Sequence, residues 1–448
     1  MDRRALAIAA LCVAVLLIAS VTALSVQYLS ALPSPSSQSE VADWPMFHAT
    51  PDHRGWTSAR VPESATVAWT YEYVFTTPAE VRYLSSSPVV QGGVVYASAG
   101  GLHLLPHLPE DNPYAAVALE LSDGGPLWHY SYNLISGALS EMVTIQGDKL
   151  WIGEGGTTTI LRSSNGTVDS EIVGSNRYGV AYTDAAVYLA HYYGLSRVEA
   201  YDASDIGLLW SVELDSPAGG APSVGLNMIA AISQRGTLYG IHAGNGTVSW
   251  IAVTNVSSHT TPAIAGNLVV ASFEDGTVRA FEVATGSQLW NYSTDGPINS
   301  SPAISETRVF VGSDDGHLYA LDLMTGALVW RFAAGGKIHS SPALAPNAVV
   351  FGSDDCKIYA LEPDSGKSLW AYQTESAVKG SPAIVEGYVL VGSDDGRVYA
   401  FGGPATQSHP VAFPSAMIWL TMTVVLLICV AAVIAMKFRE RIRRRVYR

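Results

Sequence analysis

The chain has 448 residues, of which 14% are charged and 48% hydrophobic, and it carries 41 glycines. Few charges with much glycine exclude a disordered or coiled-coil chain and point to a turn-rich β fold. The formal charge of −14 argues against a nucleic-acid-binding surface.

In chain order, residues 1–29 come first. They contain an apolar run from Ala5 to about Leu24 behind Arg3 and Arg4, which reads as a signal peptide cut near Ala23 and Ser25 or as an uncut N-terminal membrane anchor. Residues 30–42 form a linker, 43–403 the main domain and 404–415 a second linker. Residues 416–436 carry no charge and are long enough to cross a bilayer as a helix. The tail 437–448, "KFRERIRRRVYR", sets seven Lys/Arg against one Glu. By the positive-inside rule the tail is cytoplasmic and the main domain lies outside an integral, plasma-membrane anchor. The two ends hold nine of the 25 basic residues and two of the 39 acidic ones, which leaves the middle near −21. Cys356 is the lone cysteine between the apolar ends, so no intrachain disulfide is expected there.

The main domain repeats. Trp210, Trp250, Trp290, Trp330 and Trp370 are each 40 residues apart. Trp69 and Trp128 sit in similar strands, and "NGTVDS" at 165–170 aligns with "NGTVSW" at 245–250, with Ser170 in the tryptophan's place. A 40-residue period rich in Val, Tyr, Gly and Asp reads as a propeller blade. Each unit supplies four short strands, A to D from hub to rim; in the unit ending at Trp330 these are "SPAIS", "RVFVG", "HLYALD" and "ALVWRFA". The last unit stops after strand C, while "ATVAWTYEY" near the N-terminus is a D strand without a blade. Joining the two predicts an all-β, eight-bladed propeller closed by its N-terminal strand and flanked by transmembrane helices, with no free edge left over. Entry at a D strand and exit from a C strand place both ends on the C–D face, which is expected to look toward the membrane.

The motif "LYALDLMTGALVW", preceded by "SSPAI…VFVGSDDG", resembles the repeat of the pyrroloquinoline-quinone (PQQ)-like propellers, a family that includes quinoprotein dehydrogenases and the non-catalytic outer-membrane assembly lipoprotein. The segment "DWPMFHATPDHRGWT" at 43–57 resembles the family's lead-in. The resemblance implies the fold rather than a reaction. Quinoprotein dehydrogenases have bridged adjacent cysteines beside the cofactor and carboxylate and amide ligands to calcium. This chain has no Cys–Cys pair, and no residue matches those catalytic positions. No cofactor is therefore assigned, neither PQQ nor calcium.

Four sets of residues are candidates for chemistry. The acid pair recurs as "GSDDG", "GSDDC" and "GSDDG", beginning at Asp314, Asp354 and Asp394. Adjacent carboxylates in a short loop point apart and supply too few oxygens for calcium, so a tight turn is the preferred reading; Cys356 takes the turn glycine's place and strains it. The phased tryptophans read as blade-to-blade packing. Three residues before each A-strand proline stand Gly219, His259, Asn299, His339 and Lys379, which surround one mouth of the hub. They suit an anionic ligand or a metal, or they line a water-filled channel. The fourth set is the long B–C loop of blade 1, where His103, His107, Glu110 and Asp111 match no zinc spacing. That loop, with Tyr192 and Tyr193 in a shorter addition to blade 3, is expected to contact a partner. Sequons at Asn165, Asn245, Asn255 and Asn291 are candidate glycan sites, while Asn299 in the hub is a poor one.

The sequence thus points to a membrane-anchored extracytoplasmic propeller that binds a protein or cell-envelope partner and no nucleic acid. The alternatives are a PQQ-dependent redox protein or a carbohydrate binder that uses the channel.

Overall fold

A computed structural model describes residues 43–73, 87–98, 114–131, 139–154, 157–173, 176–193 and 195–403. Both apolar end segments, and with them the expected membrane helices, lie outside the described residues. So do His103, His107, Glu110 and Asp111.

Eight four-stranded antiparallel sheets follow one another along the chain. Seven are built from four consecutive strands. The eighth orders Val67–Glu72 beside Arg397–Gly402, then Tyr388–Ser393 and Ala383–Val385. Its closing register runs from Val67 opposite Phe401 to Glu72 opposite Arg397, so the expected closure is present. Middle strands such as His317–Asp322 are buried on both faces, because each blade is covered by its neighbours; this is why they read as near-continuous Val, Leu, Tyr and Ala. The outer strand of the same blade, Leu328–Ala333, alternates half-buried and exposed residues.

The phased tryptophans hold the seams. Each indole Nε1 donates to a carbonyl in the C–D turn of the next blade: Trp69 to Leu121 at 2.8 Å, Trp250 to Val283 at 2.7 Å, Trp290 to Leu323 at 2.9 Å and Trp330 to Pro363 at 3.0 Å. Trp370 faces the blade that lacks a C–D turn of its own, and Pro62 of the lead-in supplies the carbonyl at 2.9 Å. The rings of the other seam tryptophans lie on the turn glycine of the next blade. A Cβ on Gly286, at φ 69°, would stand 2.4 Å from Trp250 Cε3.

The serines and threonines of the "SSPA" motif form a second set of ties around the hub. Thr261 N donates to the Ser301 hydroxyl at 2.9 Å, Ser301 N to that of Ser341 at 2.9 Å, Ser341 N to that of Ser381 at 3.0 Å and Ser381 N to that of Ser87 at 3.2 Å. From blade 5 round to blade 1 each A strand is thereby bonded to the next through one side chain, and buried amides that strand pairing leaves over are satisfied.

The lead-in runs around the inside of the hub. Trp44 exchanges backbone bonds with Val90, and the carbonyls of Pro45, Pro51, Asp52, Arg54 and Gly55 accept from Ile145, Val224, Ile264, Ile304 and Leu344. These are A-strand residues of blades 1, 2, 4, 5, 6 and 7. Trp44, Met46, Phe47, His48 and His53 are buried. The inner edges of these A strands are therefore lined by the protein's own chain.

Candidate functional site

The acid pair is a turn, as its residue types suggest, but its two carboxylates do separate work. The second Asp locks the loop arriving from the preceding blade. Asp315 accepts from Tyr319 Oη at 2.8 Å and Asp295 N at 3.0 Å, Asp355 from Tyr359 at 2.5 Å and Gly335 N at 2.8 Å, and Asp395 from Tyr399 at 2.8 Å and Glu375 N at 3.1 Å. The hydrogen bond places a negative charge against each phenol, and together with burial it pushes Tyr319 up to about 12.

The first Asp of each pair turns inward to the hub mouth, where it meets the ring residues. Asp314 accepts from Asn299 Nδ2 at 3.3 Å and Lys337 Nζ at 2.8 Å, and lies 3.1 Å from His339 Nε2. The other ring nitrogen of His339 is 3.2 Å from Asp354. Lys379 Nζ is 3.0 Å from Asp394, and His259 is 3.4 Å from Glu274, which occupies the first-Asp position in blade 5. The mouth of blades 5 to 8 is thus an arc of alternating charges. The bond to Asp354, offset in part by burial, raises the His339 pKa above its ordinary value. Burial raises that of Asp394 despite Lys379.

This arrangement revises the ring as a site. His259, Asn299, His339 and Lys379 do converge, but each already faces a carboxylate, so the arc is not an anion-binding cluster. Among the described residues no three His, Cys, Asp or Glu side chains come together in a way that suits a metal. Gly219 is buried, and a Cβ there would meet Ser258 O at 2.2 Å, so it is a packing position rather than an open place in the ring.

In blade 3, strands Ala186–Tyr193 and Arg197–Asp202 pair from Ala186 opposite Asp202 to Ala190 opposite Val198. The expected addition lies beyond that pairing, and Tyr192 and Tyr193 end the first strand; their side chains fall outside the described set. Asn165, Asn245, Asn255 and Asn291 are all exposed. Asn165 and Asn245 cap C–D turns by accepting from Thr167 N at 3.1 Å and Thr247 N at 3.0 Å.

Two buried polar groups escaped the sequence reading. In blade 3, His191 stands where blades 6 to 8 carry Ser313, Ser353 and Ser393, and Glu199 where they carry Tyr319, Tyr359 and Tyr399. His191 Nε2 and Tyr201 Oη each lie 2.7 Å from Glu199 Oε2, and Arg197 is 2.8 Å from its Oε1. Burial alone would raise the Glu199 pKa, but these partners outweigh it and hold it at about 2. The second group is the histidine pair of the lead-in. His48 Nδ1 is 3.0 Å from the His53 carbonyl, which fixes the proton there, and Nε2 is buried without a partner among the described residues.

With this geometry in view, the chain can be set beside known proteins. The family model described as outer membrane protein assembly factor BamB matches residues 173–301 and 274–415, together more than half of the sequence. The chain belongs to this PQQ-like repeat family. Solved structures share its fold at low identity. Quinohemoprotein alcohol dehydrogenase from Comamonas testosteroni aligns at TM-score 0.68 and 12% identity, over 85% of this chain and 83% of its own. Quinohemoprotein alcohol dehydrogenase ADHIIG from Pseudomonas putida HK5 gives 0.66 and 13%, over 83% and 82%. The computationally designed Ika8 protein gives 0.63 and 16%, over 75% and 99%. No curated protein sequence matches the chain. Similar folds thus occur in enzymes and in a designed protein, and the fold alone does not choose a function.

Proposed function

We propose that this PQQ-like propeller is a membrane-anchored, extracytoplasmic binding protein for a protein or cell-envelope partner, and that it does not use a quinone. The observation that carries this reading is the self-neutralised hub mouth. A quinone bearing several carboxylates needs uncompensated positive charge, whereas Lys337, Lys379, His339 and His259 are each held by Asp314, Asp394, Asp354 or Glu274. The lead-in is bonded to the inner strands of six blades. The match to an assembly-factor family supports a role in contacts between proteins. The uncharged run 416–436 and its basic flank support anchoring with the propeller outside the cytoplasm.

Crosslinking in the native membrane followed by mass spectrometry tests the reading. It is expected to return a recurrent partner joined through the B–C and D–A loops. Calorimetry with PQQ and calcium is expected to show no binding; saturable binding accompanied by dye reduction with an alcohol would establish the redox alternative instead.

A further inference from the structure

The position of His339 carries a second conclusion, independent of the choice of partner. Its two ring nitrogens face carboxylates on two different blades: Nε2 lies 3.1 Å from Asp314 in the B–C turn of blade 6, and Nδ1 lies 3.2 Å from Asp354 in that of blade 7. A neutral imidazole carries one N–H and can donate to one of these. The imidazolium carries two and donates to both. The corresponding residues elsewhere lack this property. Asn299 reaches Asp314 through a neutral amide, Lys379 pairs with Asp394 through its ammonium, and Gly219 has no side chain.

We propose that His339 is a proton-operated clasp across the seam of blades 6 and 7, closing the hub mouth when protonated and loosening it when the proton leaves. The charged groups around it are Asp314 from blade 6, Asp354 and Lys337 from its own blade, and Lys379 from blade 8, whose charge acts on Asp354. Asp314 and Asp354 favour the imidazolium, whereas Lys337 opposes it. The carboxylates prevail, so the proton is held more tightly than on a free histidine. Below its unfolded-state titration the clasp is closed and contributes fully. As pH rises through the folded-state titration the proton is lost, one of the two bonds lapses, and the arc becomes more acidic. The mouth then presents the Asp354 carboxylate less fully occupied, while Asp314 keeps Lys337 and Asn299.

Hydrogen exchange of the full-length protein, with protection factors corrected for intrinsic pH dependence, tests the clasp. Turn 353–356 should lose protection, by about tenfold for one charge-assisted bond, as pH rises through the imidazole range. The turn at 393–396, held by Lys379, should not change and serves as the internal control. The His339→Lys variant should keep turn 353–356 protected at every pH, and His339→Gln should make its protection independent of pH. If turn 353–356 of the wild type follows 393–396, or if His339→Gln retains the pH dependence there, the clasp does not exist. The wild-type comparison decides the matter even if a variant fails to fold.

Discussion

Cys356 shows what one residue in a repeated turn can cost. It sits at φ 63°, where the equivalent Gly316 and Gly396 sit at 84° and 86°. A side chain in that region is strained by roughly 1–2 kcal/mol. The strain has a visible companion. Asp315 Oδ1 accepts from His317 N at 2.8 Å and Asp395 Oδ1 from Arg397 N at 3.1 Å, but Asp355 Oδ1 is buried without a partner among the described residues. Replacing Cys356 by glycine should relax the backbone and let the turn bond form. Part of the gain is offset by the greater freedom of glycine in the unfolded chain. A net stabilisation of about 1 kcal/mol by urea unfolding is expected; a loss of stability would mean that the thiol makes a contribution the geometry does not reveal.

At the scale of the strand and turn, the seam between blades 2 and 3 is the exception that explains the others. Ser170 holds the place of the seam tryptophan. In the facing C–D turn Ile206 holds the place of glycine, at φ 60°. Elsewhere a side chain there would collide with the indole, as at Gly286. Without an indole the space is free, and Ile206 packs against a buried cluster that includes Trp151, Ile160 and Tyr201. The two departures from the repeat are therefore one substitution in two parts. Ser170→Trp alone should destabilise by colliding with Ile206, and Ile206→Gly alone by removing buried apolar surface. The double variant rebuilds the ordinary seam, so its cost should fall short of the sum by about 1–3 kcal/mol. Strict additivity in a double-mutant cycle would disprove the pairing.

The same scale shows what the sequence made legible. The seam tryptophans, the cryptic copy at Ser170 and the closing strand were all readable, because a blade can bury its faces only against another blade and so must repeat its pattern. The pairing of ring residues with first acids was readable in principle: His259 with Glu274, Asn299 with Asp314, His339 with Asp354 and Lys379 with Asp394 share one offset along the chain. It was missed because the turn chemistry of Asp and Gly already accounted for the acids. The buried Glu199 and His191 gave a fainter signal, a local break in the repeat. The path of the lead-in gave none, since irregular backbone bonded through carbonyls imposes no pattern on side chains.

For the whole molecule, that lead-in acts as an axle. Residues 44–57 offer backbone partners to the A strands of six blades, and residue 62 completes the seam of a seventh, so the ring and its axle should unfold together. The axle also carries a pH limit. Burial, reinforced by the neighbouring His53, lowers the His48 pKa from 6.5 to about 3, and burial lowers that of His53 as well. A folded state that keeps these rings neutral binds fewer protons than the unfolded chain. The stability associated with His48 is therefore complete above about pH 6.5 and declines as pH falls toward about 3, by about 1.4 kcal/mol per pH unit. Asparagine suits the left-handed backbone of His48, at φ 57°, and its amide is able to donate to the His53 carbonyl without titrating. Between about pH 6.5 and pH 5 the wild type should lose about 2 kcal/mol more than His48→Asn in urea unfolding. Parallel curves for the two proteins would show that His48 is charged or solvated in the folded hub, and the closed axle would have to be redrawn as an open one.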